Sequence, residues 1–280
     1  MKSKKIKLMV GALVIAMIGA TLTGCGGNKE ENAGAETQTT ISISGSTSVG
    51  PLMLKVQEKY EAENKDVTLE VQENGSGAGI KDVINGVSEI GMSSRELKSE
   101  EASQVDGTVI AHDGIALLVN PANKVKNITL EEVKGIYTGK ITNWKELGGT
   151  DSPIVVISRE EGSGTRDAFQ EIVDYKSEEL IKDATIADGS GAVKTAGAGN
   201  ENAIGFASFE FIDDSVAALK VNDVEATADN VKAGQYKLSR PYLLITKKDS
   251  LTEAGTALIE YVLSTEGQQI VKDNKLITLE

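Results

Sequence analysis

Apolar and polar positions alternate at a period of two in short β-branched runs, and each run gives way to a stretch with helical spacing. Thr40-Ile41-Ser42-Ile43-Ser44-Gly45 predicts a strand, and apolar Leu52, Leu54, Val56 and Tyr60 predict a helix behind it. Pro51 fits the first turn of that helix, and Ser46, Thr47 or Ser48 is positioned to cap it. Val67 to Val71 predicts a second strand, Glu73 to Gly79 a permissive turn, and Ile80 to Gly86 a short helix. A compact third unit runs from Glu89-Ile90-Gly91-Met92 into Ser93-Ser94-Arg95, followed by a helical turn over 100–105.

Further along, Thr108 to Asn120 contains two strand-like runs ending at Pro121, suited to carry the chain from one lobe to another. A helix is predicted over 130–137, followed by Trp144-Lys145-Glu146-Leu147 in the same lobe, with Tyr137, Trp144 and Phe169 as packing residues. Pro153 to Ile157 is a buried strand by composition, and a helix should run from about Thr165 to Tyr175. A helix opening at Ser190, a strand over 203–207 and strand pieces over 216–221 and 224–226 follow. Ser239-Arg240-Pro241 leads into the strand 242–246, and helices over 254–265 and 267–272 close the chain. Strands alternating with helices mean α/β units, whose ligands gather at the carboxyl ends of the strands.

The junction Arg159-Glu160-Glu161-Gly162-Ser163-Gly164-Thr165 changes this picture from architecture to chemistry. A strand, a glycine-punctuated turn and a helix start bring free backbone N–H groups to a positive helix end, which is an anion site. Ser163 and Thr165 add hydroxyl donors, and Arg159 adds a planar fork suited to a tetrahedral oxyanion. Three other glycine/serine turns stand at comparable junctions. Arg159 also has Glu161 and Asp167 nearby in sequence as carboxylate partners.

The 280 residues are enough for two packed lobes, and the formal charge of −13 argues against a nucleic-acid partner. Four lysines before residue 8 and an apolar run to Leu22 form an export signal. Leu22-Thr23-Gly24-Cys25 resembles the bacterial lipobox, in which the cysteine carries the lipid and becomes the first mature residue. Cys25 is the only cysteine, so no intramolecular disulfide forms. Loss of residues 1–24, with four lysines and no acid, takes the formal charge from −13 to −17. Residues 25–39 are polar and aperiodic, a flexible tether. The expectation is a domain held on the extracytoplasmic face of a bacterial cell membrane by its lipid.

Several motifs taken in order are more specific than any one alone: ISGSTSVGP at 43–51, ENGSGAGI at 73–80, EIGMSSREL at 89–97, ISREEGSGTRDAF at 157–169, DGSGAV at 188–193, AIGFASF at 203–209 and LSRPYL at 238–243. In these the chain resembles the phosphate-binding lipoproteins of bacterial high-affinity phosphate ABC transporters. The resemblance implies a type II periplasmic-binding-protein fold: two α/β lobes, 40–116 with 240–280 and 117–239, joined by a double crossover hinge with the ligand in the cleft. It implies capture of inorganic phosphate, without cofactor, metal or covalent chemistry, and delivery to ABC permease subunits by a monomeric domain. The phosphate ligands it implies are Ser46, Thr47, Ser48, Ser76, Ser94, Arg159, Ser163, Gly164 and Thr165. Glu161 would orient Arg159, and Arg95 would either approach the anion or brace the hinge. In the best-known family pattern an aspartate stands where this chain has Ser94. A hydroxyl both donates and accepts, so this position does not by itself separate phosphate from sulfate.

Other functions fit less well. A serine hydrolase would need Ser163 in a G-x-S-x-G elbow, which is absent, and His112, the single histidine, as base. TAGAGN at 195–200 lacks the lysine of a nucleotide-binding loop. Binding of sulfate or molybdate, or a lipoprotein that has lost its ligand, would keep the same pattern.

Overall fold

The computed structural model describes residues 38–279. The predicted export signal, Cys25 and nearly all of the tether lie outside them. The tether's predicted end is cut short by one residue, because the first strand, β1 (Thr39–Gly45), has already begun.

In chain order β1 is followed by α1 (Gly50–Glu63), β2 (Val67–Glu73), α2 (Ser76–Asn85), β3 (Ile90–Ser93), α3 (Ser99–Ala102) and β4 (Val105–Val119). Next come β5 (Asn127–Ile128), α4 (Leu130–Tyr137), a 3-10 turn at Trp144–Leu147, β6 (Val155–Arg159), α5 (Gly164–Val173), β7 (Thr185–Ala187), α6 (Ser190–Gly199) and β8 (Ala203–Ser208). The chain ends with β9 (Ala217–Ala218), β10 (Lys220–Val221), α7 (Ala228–Lys232), β11 (Ser239–Lys247), α8 (Glu253–Leu263) and α9 (Thr265–Asp273).

Among the described residues nine strands form one curled sheet in the order β2-β1-β3-β11-β4-β8-β6-β7, with β9 also paired to β4, while β5 and β10 pair in a separate two-stranded sheet. β1 pairs parallel with β2 and β3, and β6 pairs parallel with β7 and β8. β4 joins these two parallel groups, pairing with β11 up to Gly114 and with β8 from Ile115 onward. The returning chain meets it at the same place, where the Ile115 N–H donates to the Leu238 carbonyl at 2.8 Å. Two adjacent passages of chain therefore connect two lobes, the geometry of a double crossover.

Each lobe has its own core. One gathers Ile41, Ile43, Leu52, Met53, Val56, Ile90, Met92, Leu244 and Leu258. The other gathers Ile115 to Val119, Ile136, Tyr137, Trp144, Phe169, Phe206 and Tyr236. β4 contributes Ile110 and Ala111 to the former and Ile115 onward to the latter, so the change of core falls on the three residues His112, Asp113 and Gly114. Tyr137, Trp144 and Phe169 are packing residues as expected; the Phe169 and Phe206 rings stack with centroids 4.1 Å apart.

Several boundaries differ from the pattern-based expectation. Leu54 is 45% exposed, and Met53 takes its place in the core. At 3.6 residues per turn, Leu52, Met53, Val56 and Tyr60 share a face that Leu54 cannot join. The helix predicted over 80–86 starts at Ser76, with glycines inside it. A Cβ at Gly79 would stand 2.4 Å from the Ser44 carbonyl oxygen, so close packing overrides helix propensity there. The two strand-like runs after residue 108 are one strand, β4, and its start at Val105 limits the predicted helical turn before it to α3.

Where the two passages meet, Asp113 on β4 and Arg240 on β11 are cross-strand partners, both buried. Arg240 Nε and Nη2 donate to Asp113 Oδ2 at 3.2 and 3.0 Å, and Tyr242 Oη donates to it at 3.0 Å. Ser208 Oγ and the Phe209 N–H complete the shell on Oδ1 at 2.8 and 3.3 Å. Burial pushes the Asp113 carboxyl up, against the pull of Arg240 and the hydroxyls. Burial, and then the nearby Asp113 charge, push the Glu210 carboxyl well above its ordinary range. His112, one residue away, faces outward and is exposed.

Candidate anion-binding site

Four strand-to-helix junctions converge between the lobes: β1 to α1, β2 to α2, β6 to α5 and β7 to α6. Each helix start carries N–H groups without intrahelical acceptors and the positive end of the helix dipole.

At the first junction the Ser46 hydroxyl accepts from the Ser48 and Val49 N–H groups at 3.1 and 3.3 Å, which fixes the turn into α1. With both lone pairs engaged, it donates its proton to Ser94 Oγ at 3.0 Å. At the second, Gly75 holds φ 93°, a conformation that disfavours other residues, and delivers Ser76 as the first residue of α2. Ser76 Oγ accepts from the Ser94 N–H at 3.1 Å. Ser46, Ser48, Ser76 and Ser94 are all buried, and Thr47 is half-buried.

The second lobe faces them with Arg159, the last residue of β6, and with α5. Ser163 caps α5 by accepting from the Arg166 N–H at 3.3 Å. Gly164 backs directly onto the first lobe: a Cβ there would meet Ser76 Oγ at 2.2 Å and Ser94 Oγ at 2.9 Å. The Gly77 N–H donates to the Gly162 carbonyl at 3.0 Å, and Ser48 Oγ lies 2.9 Å from Thr165 Oγ1. Arg159 is 1% exposed, and its Nη2 donates to Thr47 Oγ1 at 3.0 Å. All nine residues singled out in the sequence are thus brought to one cleft, in a closed arrangement with hydroxyls of one lobe touching those of the other.

The carboxylate on Arg159 is not the one expected. Nε and Nη2 donate to Glu160 Oε2 and Oε1, both at 2.7 Å, and Glu160 also accepts the Gly189 N–H at 3.2 Å. Burial acts to raise the Glu160 carboxyl, but the Arg159 guanidinium and these donors hold it below the usual range. Glu161 is exposed at the rim of a cleft of about 600 Å³ that Lys81, Arg95, Lys98 and Asp167 also line. Residues two apart share a face only while a strand persists, and β6 ends at Arg159.

Arg95 neither reaches the hydroxyl cluster nor braces the crossing strands. Its Nη1 and Nη2 donate to Glu101 Oε2 and Oε1 at 2.7 and 2.8 Å, and its Nε lies 3.0 Å from Asp167 Oδ2 on α5. It ties the two lobes together at the cleft mouth.

The sequence marks Ser190, the first residue of α6, only as a helix start. Arg159 Nη1 donates to its hydroxyl at 3.0 Å, and Ser48 Oγ is 2.8 Å away. The signal that could have found it is the match between Asn74-Gly75-Ser76-Gly77-Ala78 and Asp188-Gly189-Ser190-Gly191-Ala192.

Chemically the site is a cluster of ambivalent hydroxyls and helix-start N–H groups around an arginine already paired with a carboxylate. It can surround a small oxyanion with donors, and its hydroxyls can accept a proton from one. It holds no histidine: His112 is exposed on β4. Among the described residues no cluster of His, Cys, Asp and Glu is arranged to hold a metal ion.

The chain matches the PBP superfamily domain over residues 30–266. It is 34% identical to the phosphate-binding protein PstS of Bacillus subtilis, over 99% of this chain and 95% of that one. A crystal structure from Clostridium perfringens, described as a phosphate ABC transporter substrate-binding protein with bound phosphate, is 55% identical with a TM-score of 0.85. It covers 86% of this chain and is itself covered in full. An ABC-type phosphate transport receptor from Vibrio cholerae is 36% identical with a TM-score of 0.73, over 85% of this chain and 99% of that one. With this sheet order, this cleft and these relatives, the chain belongs to the PstS family of the periplasmic-binding-protein superfamily.

Proposed function

We propose that this protein captures inorganic phosphate outside the cytoplasm and hands it to the permease subunits of an ABC transporter. The observation that carries this is the convergence of four helix starts from two lobes, with Arg159, on one buried cluster of hydroxyls. Relatives named for phosphate binding and phosphate transport support the same ligand.

The ligand residues in this proposal are Ser46, Thr47, Ser48, Ser76, Ser94, Arg159, Ser163, Gly164 and Thr165. Because Glu160 already neutralises Arg159, the anion is held by oriented dipoles and charge-assisted hydrogen bonds rather than by an excess of positive charge. Binding is stoichiometric and non-covalent, with no turnover. Closure of the lobes excludes water and gives the permease a shape to recognise. In this proposal the lobes divide near the boundaries the sequence suggests, 40–116 with 240–280 against 117–239, except that Ile115 and Ala116 pack into the second lobe's core.

A lipid on Cys25 holds the domain, as a monomer, at the membrane surface. Among the described residues no helix is long and apolar enough to cross a membrane. Cys25→Ala should release the protein from membranes with phosphate affinity unchanged.

The direct test is calorimetric titration with phosphate, repeated with sulfate as competitor across pH. Stoichiometric phosphate binding that sulfate cannot displace is expected. Preference for sulfate or molybdate, which the hydroxyl at Ser94 does not by itself exclude, would replace the ligand; no binding of any oxyanion would sink the proposal.

A further inference from the structure

The two lobes repeat one plan. In the first, β1, α1, β2, α2 and β3 follow in sequence and the strands lie side by side, all parallel, as β2-β1-β3; in the second, β6, α5, β7, α6 and β8 do the same as β7-β6-β8. Superimposing the orders makes α2 the counterpart of α6, and Ser76 the counterpart of Ser190. The local geometry agrees. Gly75 (φ 93°, ψ 150°) and Gly189 (φ 87°, ψ 161°) precede helices of ten residues each, and the serine that opens each helix has no exposed surface.

Among the described residues most other helix starts are closed by their own side chains. Thr129, Thr227, Thr252 and Ser264 each accept an N–H of the helix they precede. α2 and α6 have a glycine at that place and turn a serine into the cleft instead. A glycine at the cap costs the helix little and leaves the following serine free to face the cleft.

We propose that Ser190 is a direct ligand of the bound anion, the second lobe's equivalent of Ser76; this rests on the phosphate-binding function proposed above. Its hydroxyl stands among groups that function already uses: Arg159 Nη1 at 3.0 Å, Ser48 Oγ at 2.8 Å and Thr47 Oγ1 at 3.5 Å. Its N–H donates to Thr47 Oγ1 at 3.3 Å. With a lone pair taken by Arg159, the hydroxyl proton is left to donate to an anion oxygen. Partners in both lobes make this contact complete only when the cleft is closed, so its loss should appear in the dissociation rate.

The experiment is titration of inorganic phosphate into the full wild-type chain, Ser190→Ala and Ser190→Thr, with stopped-flow rates and ligand-free melting temperatures. Loss of a hydrogen bond to a charged ligand should weaken Ser190→Ala by about tenfold to a hundredfold, mainly through faster release. The threonine variant should recover most of the affinity, and ligand-free melting should not change. Wild-type binding with an equally tight Ser190→Ala would overturn this inference alone, whereas a wild type that ignores phosphate would overturn the function beneath it. A phosphate-bound crystal structure of the wild type decides even where the variants misfold: Ser190 Oγ should lie within about 3 Å of a phosphate oxygen, and a hydroxyl turned away from it refutes the assignment.

Discussion

Two buried polar clusters in this protein are built from the same parts and wired differently. Each has one arginine paired with one carboxylate, with hydroxyls around the pair. At the crossing strands, Arg240 and Asp113 come from strands 127 residues apart in sequence, and Ser208, Tyr242 and the Phe209 N–H close every remaining direction on the carboxylate. In the cleft, Arg159 and Glu160 are chain neighbours, so their pairing does not depend on how the lobes are placed. What depends on the lobes is the hydroxyls: Ser48 against Thr165 and Ser190, and Thr47 against Arg159. The first cluster is a permanent joint. The second exchanges partners readily, because a hydroxyl can turn from neighbour to ligand without leaving a buried charge unpaired.

That contrast is open to attack at four points. The largest effect is expected at the joint: Asp113→Ala strands the Arg240 charge in the interior and should cost about 3–5 kcal/mol of stability in a denaturant titration. A loss below about 1 kcal/mol would mean that the pair is not fixed by its surroundings.

In the cleft, Arg159→Ala should lose affinity for phosphate by a hundredfold or more, at about 1.5–3 kcal/mol for each charge-assisted bond removed. Ser94→Ala, losing a hydroxyl beside others that can substitute, should fall by about tenfold or less. Equal, near-wild-type affinities in both variants would break the assignment of the cleft.

Gly164→Ala tests closure itself. Its methyl would collide with Ser76 Oγ, so the lobes should meet at a cost of about 1–3 kcal/mol, read as weaker binding with ligand-free melting unchanged.

The last effect is a slope. The folded protein raises the Glu210 carboxyl above its unfolded value, chiefly by burial and then by the Asp113 charge. The folded state therefore keeps a proton that the unfolded state has lost, and stability declines as pH rises above the unfolded carboxylate range. Glu210→Gln should remove that decline, becoming more stable relative to wild type at pH 8 than at pH 4. Parallel stability–pH curves for the two proteins would show that Glu210 does not titrate against the fold. Phosphate affinity should be insensitive to this change, because Glu210 belongs to the joint and not to the cleft.

Much of this organisation was legible in the residues. Alternation at a period of two located the strands, and α4 runs over 130–137 as its pattern predicts because Thr129 and Glu132 form a local capping box that needs no distant partner. The GSGT turn placed the start of α5 for the same reason, since the Ser163 hydroxyl that closes it and the Arg166 N–H are three residues apart. Legibility ended where a decision was made by distant chain. Gly79 sits inside a helix because the Ser44 carbonyl leaves no room for a side chain, which the sequence near Gly79 does not reveal.

The sequence by itself determined the α/β alternation, the glycine–serine junctions and the presence of one arginine among them, all set by forces acting within a few residues. Tertiary structure alone decided that Arg95 clasps Asp167 across the cleft mouth and that Ser190 joins Ser48 from 142 positions away. The physical reason is that hydrogen bonds and ion pairs reach about 3–4 Å in space whatever the separation along the chain, and only the folded sheet sets which groups come that close.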